Sequence, residues 1–230
     1  MNCRYDEKNR KEILESRVNS TKVLGEAIAR AKNPPEVWLN SSTATIYRHA
    51  EDKAMDDETG EIGFGFSVEV AKAWEKTFFD AATPHTRKVA LRTAMVLGKN
   101  GGVLPVLANL TRYGLGGKMA TGMQYISWVH GRDMCRAIEF LIENNLEGTV
   151  NVSAPHPLQN KIFMSLLREQ LNQKIGLAST KWMLGLGAIF LRTETELILK
   201  SRWVLPSRLQ KAGFQFEFPE LKSALEDLLK

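Results

Sequence analysis

Cysteine is nearly absent: Cys3 and Cys135 are the two in 230 residues, and they show none of the paired spacing of a disulfide framework or a zinc site. His49, His85, His130 and His156 are equally scattered, so no metal centre is expected. Long apolar runs are missing too. The longest, WMLGLGAIFL at 182–191, is about half of the ~20 residues that a membrane-spanning helix needs, and no basic-then-apolar segment opens the chain. Neither a membrane span nor a secretory leader is expected, and the reading places the protein in the cytoplasm. What is present is ordinary globular composition, 43% hydrophobic and 25% charged, in a length that suits one large domain or one and a half. Disordered and fibrous classes are excluded.

The net charge of +5 is concentrated, since residues 161–211 hold nine Lys or Arg against three Glu. Such a stretch can attract nucleic acid or an anionic ligand, or it can be a solvated helix face. No stacking aromatics interleave these charges, so the solvated face is preferred and no nucleic-acid partner is expected.

Apolar positions recur at helical spacing over 7–31 (Leu14, Val18, Thr21, Leu24, Ile28), which predicts an amphipathic helix. After Asn33-Pro34-Pro35 the segment PEVWLNSST reads as a strand, and EDKAMDDETGEIG as an acidic loop. There follow a helix over 67–82, the strand RKVALRTAMVLG, a Gly-rich stretch over 98–122 read as turns and a cleft wall, the strand QYISWVH, a helix over 133–144 and the strand GTVNVSA. Alternating strands and helices predict a parallel sheet covered by helices. Beyond Pro157 the pattern turns helical: NKIFMSLLREQLNQ, then 180–202, then ELKSALEDLL. A soft boundary is expected over 153–159, giving units 1–155 and 156–230.

The short motifs that would settle a mechanism are also missing. Gly63-x-Gly65, Gly114-x-Gly116 and Gly185-x-Gly187 are followed by Val68, Met119 and Phe190 where the dinucleotide fingerprint needs its third glycine. Lys118 precedes Met119, so there is no P-loop, and Ser67 lacks the glycine pair of G-x-S-x-G. Residues four after Tyr5, Tyr47, Tyr113 and Tyr125 are Asn9, Glu51, Gly117 and Val129, so no Tyr-x-x-x-Lys exists.

Taken in order, KEILESRVNSTKVLGEAI, LNSSTATIY, AKAWEK, LRTAMVLGKNGGVLP, GMQYISWVHGRD, NVSAPHPLQN and LPSRLQKAGFQFEFPELKSAL resemble the epimerase-like family of extended short-chain dehydrogenases, often labelled nucleoside-diphosphate-sugar epimerases, with a DUF1731-type C-terminal segment. The resemblance covers essentially the whole chain. It implies a Rossmann-like parallel sheet, N-terminally incomplete, with a smaller, mainly helical C-terminal substrate domain, and NAD or NADP as coenzyme. Such proteins open with a strand, a Gly-rich turn and a helix. Without that fingerprint the chain is expected to begin inside the fold, at its fourth helix, lacking roughly 60 to 80 residues of two overlapping βαβ units. Its own coenzyme affinity is expected to be weak or nil.

In the wider superfamily a Tyr, made more acidic by a Lys four residues on, exchanges a proton with the substrate hydroxyl. Aligning Glu75 of AKAWE with the Glu that trails that pair puts Phe66 and Val70 at its positions, and neither can relay a proton. The resemblance leaves Thr43 as the catalytic candidate, a hydroxyl at a strand end that either bonds a substrate oxygen or caps a turn. Ser42, Arg92 and Thr93 are candidate coenzyme contacts. Tyr47, Gln124, Trp128 and His130 are candidate contacts to a small-molecule substrate, with packing as the alternative for the last three. Trp74 and Glu75 read as core and as a capping or pairing group, and Asp133 as a structural N-cap. The alternative function is a non-catalytic dinucleotide-fold interaction module. An uncovered edge at EVWLNSS and stripped helix faces predict self-association.

Overall fold

The structure is a computed structural model, and it describes residues 5–179 and 199–230. Helix α1 spans Glu7–Arg30 and starts where the Asp6 carboxylate accepts the Asn9 N–H at 2.8 Å. Its inward stripe is Thr21, Gly25 and Ile28, while Leu24 is 48% exposed, contrary to the sequence reading. The reason is Gly25: a Cβ there would meet Ala81 Cβ at 2.9 Å and Trp38 Cη2 at 3.2 Å. The missing side chain lets α1 approach the sheet at that point and turns Leu24 outward.

Strands β1 (Val37–Thr43), β2 (Arg87–Thr93) and β6 (Gly148–Val152) form a parallel sheet in the order β1-β2-β6, with helix α2 (Phe66–Asp80) crossing from β1 to β2. Among the described residues β1 has one strand neighbour. One face of the sheet presents Val37, Leu39, Val89, Leu91, Val150 and Val152 to helix α4 (Gly131–Glu143) and to Leu209 and Phe214. The other presents Trp38 and Ala90 to Ile28 and Phe78. The period of two along each strand produces this division, and each buried Leu, Val or Phe contributes about 1.5–3 kcal/mol.

RKVALRTAMVLG is two strands, not one. β2 ends at Thr93, Ala94 N–H bonds the Val152 carbonyl, and β3 (Met95–Leu97) then pairs with β5 (Trp128–His130) in a separate two-stranded sheet. β4 (Tyr125–Ile126) pairs antiparallel with β7 (Leu158–Gln159). The stretch read as turns holds helix α3 (Leu104–Arg112), which begins just after Gly102 at φ 76° with Pro105 in its first turn, a position where a missing N–H costs nothing.

Helix α5 (Asn160–Gln170), a five-residue helix α6 (Ser207–Lys211) that periodicity did not reveal, and helix α7 (Leu221–Leu228) complete the described elements. Leu97, Leu104 and Trp128 share a core with Phe163, Leu167, Leu221 and Leu225. The helix expected over 180–202 and the apolar run 182–191 lie outside the described residues, apart from residues 199–202, of which Leu199 is helical and Lys200, Ser201 and Arg202 are not.

Candidate functional site

The parallel register aligns Thr43, Thr93 and Val152 in one row, so the carboxyl ends of the three strands open on a common side. In open α/β sheets ligands are received there. Thr43 is half-buried, and its Oγ1 accepts the Thr45 N–H at 3.1 Å, which starts the 3-10 turn Ala44–Ile46. Thr93 is likewise half-buried and donates its hydroxyl to the Leu91 carbonyl at 3.2 Å.

Behind this row the sequence places charge on a buried stripe. Ala71, Glu75 and Phe78 follow helical spacing on the inward face of α2, so Glu75 needs a partner. Arg92 provides it, with Nε at 3.0 Å from Oε1 and NH2 at 2.8 Å from Oε2, and Ser42 donates to Oε1 at 2.6 Å. The remaining guanidinium nitrogen donates to the Tyr47 hydroxyl at 3.0 Å, and Tyr47 donates to Asn151 Oδ1 at 2.8 Å. Burial works against the Arg92 charge, but the bonds to Glu75 and Tyr47 outweigh it and push the guanidinium above its ordinary range. Burial raises the Tyr47 phenol as well, partly offset by Arg92. Asp57, raised by burial, accepts the backbone N–H groups of Asn151 and Arg208 and ties this network to α6.

Ser42, Arg92 and Tyr47 thus turn their polar atoms into one buried network of satisfied donors and acceptors. Gln124 is 3% exposed and donates from Nε2 to the Met119 carbonyl, while Trp128 is fully buried in the core. His130 is 3% exposed, stacks on Phe218 at 3.9 Å, accepts the Arg132 N–H on Nδ1 at 3.0 Å and meets Asp227 through Nε2 at 3.2 Å. Because its Nδ1 is an acceptor, the proton sits on Nε2, and His130 is the N-cap of α4. Asp133, expected to be that cap, is instead fully buried in the first turn and accepts the N–H groups of Glu217 and Phe218 at 2.9 and 2.8 Å. The N-cap position belongs to the residue that precedes the first helical one, and Asp133 lies three residues too late for it. Trp74 is half-buried and donates to Thr21.

A segment from the C-terminal part crosses beside the strand ends. Lys200 Nζ donates to the Thr45 carbonyl at 2.8 Å, Ser201 N–H to His49 Nδ1 at 3.0 Å, and Ser201 Oγ accepts the Tyr125 N–H at 2.8 Å. On the helix side an open groove of about 500 Å³ runs between Ile46, Ile62, Lys72, Ala73, Lys76 and Phe79 with Glu75 and Arg92 at its floor. A larger depression, about 960 Å³, lies at the opposite, amino ends of the strands near His85, Arg87 and Gly148, away from the side where such sheets bind.

The residues expected to hold a dinucleotide do not fit one. Ser42 and Arg92 are committed to Glu75, the Thr93 hydroxyl is committed to Leu91, and no glycine-rich strand-turn-helix is formed among the described residues. Gly65, at φ 100°, opens α2, but it follows a loop rather than a strand. Among the described residues no group of three or more His, Cys, Asp or Glu could hold a metal ion, and no helix is long and apolar enough to cross a membrane.

Residues 180–228 match the family described as Domain of unknown function (DUF1731). The chain is 31% identical over 234 residues to the mouse epimerase family protein SDR39U1, covering 98% of this chain and 76% of that one. It is 30% identical over 232 residues to the epimerase family protein SA0724 of Staphylococcus aureus, covering all of this chain and 76% of that one. The crystal structure of the human epimerase family protein SDR39U1 (isoform 2) with NADPH superposes with a TM-score of 0.90 at 28% identity, covering 98% of this chain and 76% of that one. With its parallel sheet, its helical C-terminal part and its whole length matched, the chain belongs to the epimerase family of NAD(P)-dependent, short-chain-dehydrogenase-like proteins.

Proposed function

We propose that the protein acts in NAD(P)-dependent redox chemistry at a hydroxyl or carbonyl carbon of a small molecule, and that its described residues supply the substrate side of the site rather than the pyrophosphate side. The observation that carries this reading is the row of strand ends, where Thr43 is half-buried and Lys200 bonds the carbonyl of Thr45 two residues on. Thr43 bonds the substrate oxygen. Phe66 and Val70 stand where an acid and its activating lysine would be, so neither contributes a proton. The protein works in the cytoplasm without a nucleic-acid partner. Residues 1–155 carry the sheet and 156–230 the mainly helical substrate part.

Two measurements test this. NADPH fluorescence on titration with the chain should show weak or no binding, because the described residues form no pyrophosphate cradle. A dissociation constant of about 1 μM or tighter, near −8 kcal/mol, would overturn that assignment. With a strand, Gly-rich turn and helix joined ahead of residue 1 to supply the coenzyme cradle, a screen of carbonyl compounds for NADPH oxidation should find Thr43→Val lowering turnover more than Phe66→Leu or Val70→Ala, with folding of each variant verified by circular dichroism. Equal losses in all three would leave Thr43 a turn cap. A second reading, a non-catalytic interaction module, is favoured by the satisfied Ser42–Glu75–Arg92–Tyr47 network, and it predicts no turnover with any compound.

A further inference from the structure

Of the residues in GMQYISWVHGRD, Gln124, Trp128 and His130 turn inward, but Tyr125 does not. Its ring lies flat on that of Trp203, with centroids 4.1 Å apart and an interplanar angle of 11°, and both side chains are half-buried. The other Phe, Tyr and Trp pairs among the described residues meet edge-on, as in the core pair Trp38–Phe78 at 82°. The other stacked pair, His130 on Phe218, is buried in the core, whereas the half-buried Tyr125–Trp203 pair is parallel at the surface and leaves a flat outer face.

The pair is held by backbone. Tyr125 N–H bonds Ser201 Oγ at 2.8 Å, its carbonyl accepts the Arg202 N–H at 2.9 Å, and the Trp203 carbonyl accepts the Met55 N–H at 2.7 Å. Neither the Tyr125 hydroxyl nor the Trp203 indole N–H is bonded to a described residue.

Two separate connections place this pair beside the strand ends. Two residues after Tyr125, the Ser127 carbonyl accepts the Met95 N–H just beyond Thr93. Three residues before Trp203, Lys200 bonds the Thr45 carbonyl just beyond Thr43. The end of β2 leads to one ring and the end of β1 to the other.

We propose that the Tyr125–Trp203 pair is the shelf on which a planar ring of the substrate lies, so that the small molecule taken by this site is an aryl or heteroaryl carbonyl or alcohol. This rests on the strand-end reading of the substrate site. The ring stacks on the outer face of the pair, the two polar tips bond heteroatoms at its rim, and the reacting oxygen is directed toward Thr43.

The test is a matched pair of ketones. Acetophenone and cyclohexyl methyl ketone carry the same acetyl group on six-membered rings, one flat and one puckered, and both can be followed by saturation-transfer NMR on the chain without coenzyme. Acetophenone should bind roughly tenfold tighter, in line with stacking on a protein ring. Trp203→Leu and Tyr125→Leu should remove that preference, and Trp203→Phe should keep it. Equal affinity of the unaltered chain for the two ketones, binding of neither at millimolar concentration, or a preference that survives Trp203→Leu would each overturn the shelf. Failure of NADPH-linked turnover in the carbonyl screen would instead bear on the redox reading and leave this binding result standing.

Discussion

Replacing Glu75 with Leu removes one side of a buried ion pair and leaves the other in place. The Arg92 and Glu75 side chains are 11% and 9% exposed, and the change deletes hydrogen bonds of 3.0 and 2.8 Å from the guanidinium and of 2.6 Å from Ser42. Lost singly, bonds to charged groups are worth about 1.5–3 kcal/mol each. Arg92 keeps Tyr47 as a partner and lies at the floor of the α2 groove, where water can reach it, so the three losses do not add in full. An uncompensated buried charge costs about 3–5 kcal/mol, a large part of the ~5–15 kcal/mol that holds a domain folded. With a urea slope of about 2–3 kcal/mol/M for a chain of this size, the unfolding midpoint should fall by roughly 1–2 M. The double variant Glu75→Leu with Arg92→Met removes both charges at similar volume and should recover most of that loss. Urea titration followed by tryptophan fluorescence reads all three proteins. A midpoint change below about 0.3 M for Glu75→Leu, or a double variant no better than the single, would refute the view that this pair is a coupled buried unit.

Asp52, held by the Arg48 guanidinium, has its carboxyl lowered to about 2. Because the folded value lies below the ordinary ~3.9, the stabilisation from this pair is present above pH ~4 and lost as pH falls toward 2. A carbon-13 NMR titration of the Asp52 carboxyl checks it, and Arg48→Gln should return the midpoint to the ordinary range. Gly25→Val would press a branched side chain into Ala81 and Trp38, and should destabilise by about 1–3 kcal/mol, read as a lower thermal midpoint; an unchanged midpoint would mean that α1 can move away from the sheet. The edge of β1 that has no strand neighbour among the described residues, with the exposed Val23 and Leu24 of α1, should make amides before residue 97 exchange faster than those of β5 and β6, and should make scattering mass rise with concentration. Uniform protection in a monomer at all concentrations would contradict this.

Much of the sheet was legible in the sequence because its signals are local. α1, β1, α2, α4 and β6 follow hydrophobic periods of 3.6 or 2 within a dozen residues, and the structure places them within a few residues of the expected bounds. What was not legible depends on contacts between distant segments. The break at Ala94 is invisible in a continuous apolar run, because it is set by which strand each half pairs with. The glycines around α3 mask a helix whose apolar face is needed only once α5 is beside it. Glu75 and Arg92 did carry a signal, a charge on an inward stripe, but only the register of β1 on β2 shows that Ser42 and Tyr47 join them. Tyr125 was passed over within a conspicuous segment because nothing near it in sequence announces Trp203.

Asp133 is a carboxylate with no solvent exposure whose partners are the Arg136 guanidinium and the amides of Glu217 and Phe218, and the sheet face it adjoins is covered by α4 together with Leu209 and Phe214. For a chain made from its amino end this sets a schedule. While residues beyond 200 are still being added, strands β1, β2 and β6 already exist as sequence, but one face has α4 alone for cover and Asp133 has Arg136 without the two amides. The cover of this face is therefore completed only once residues 209–218 are in place, and until then the nascent chain carries a partly open apolar face that a holding chaperone can protect.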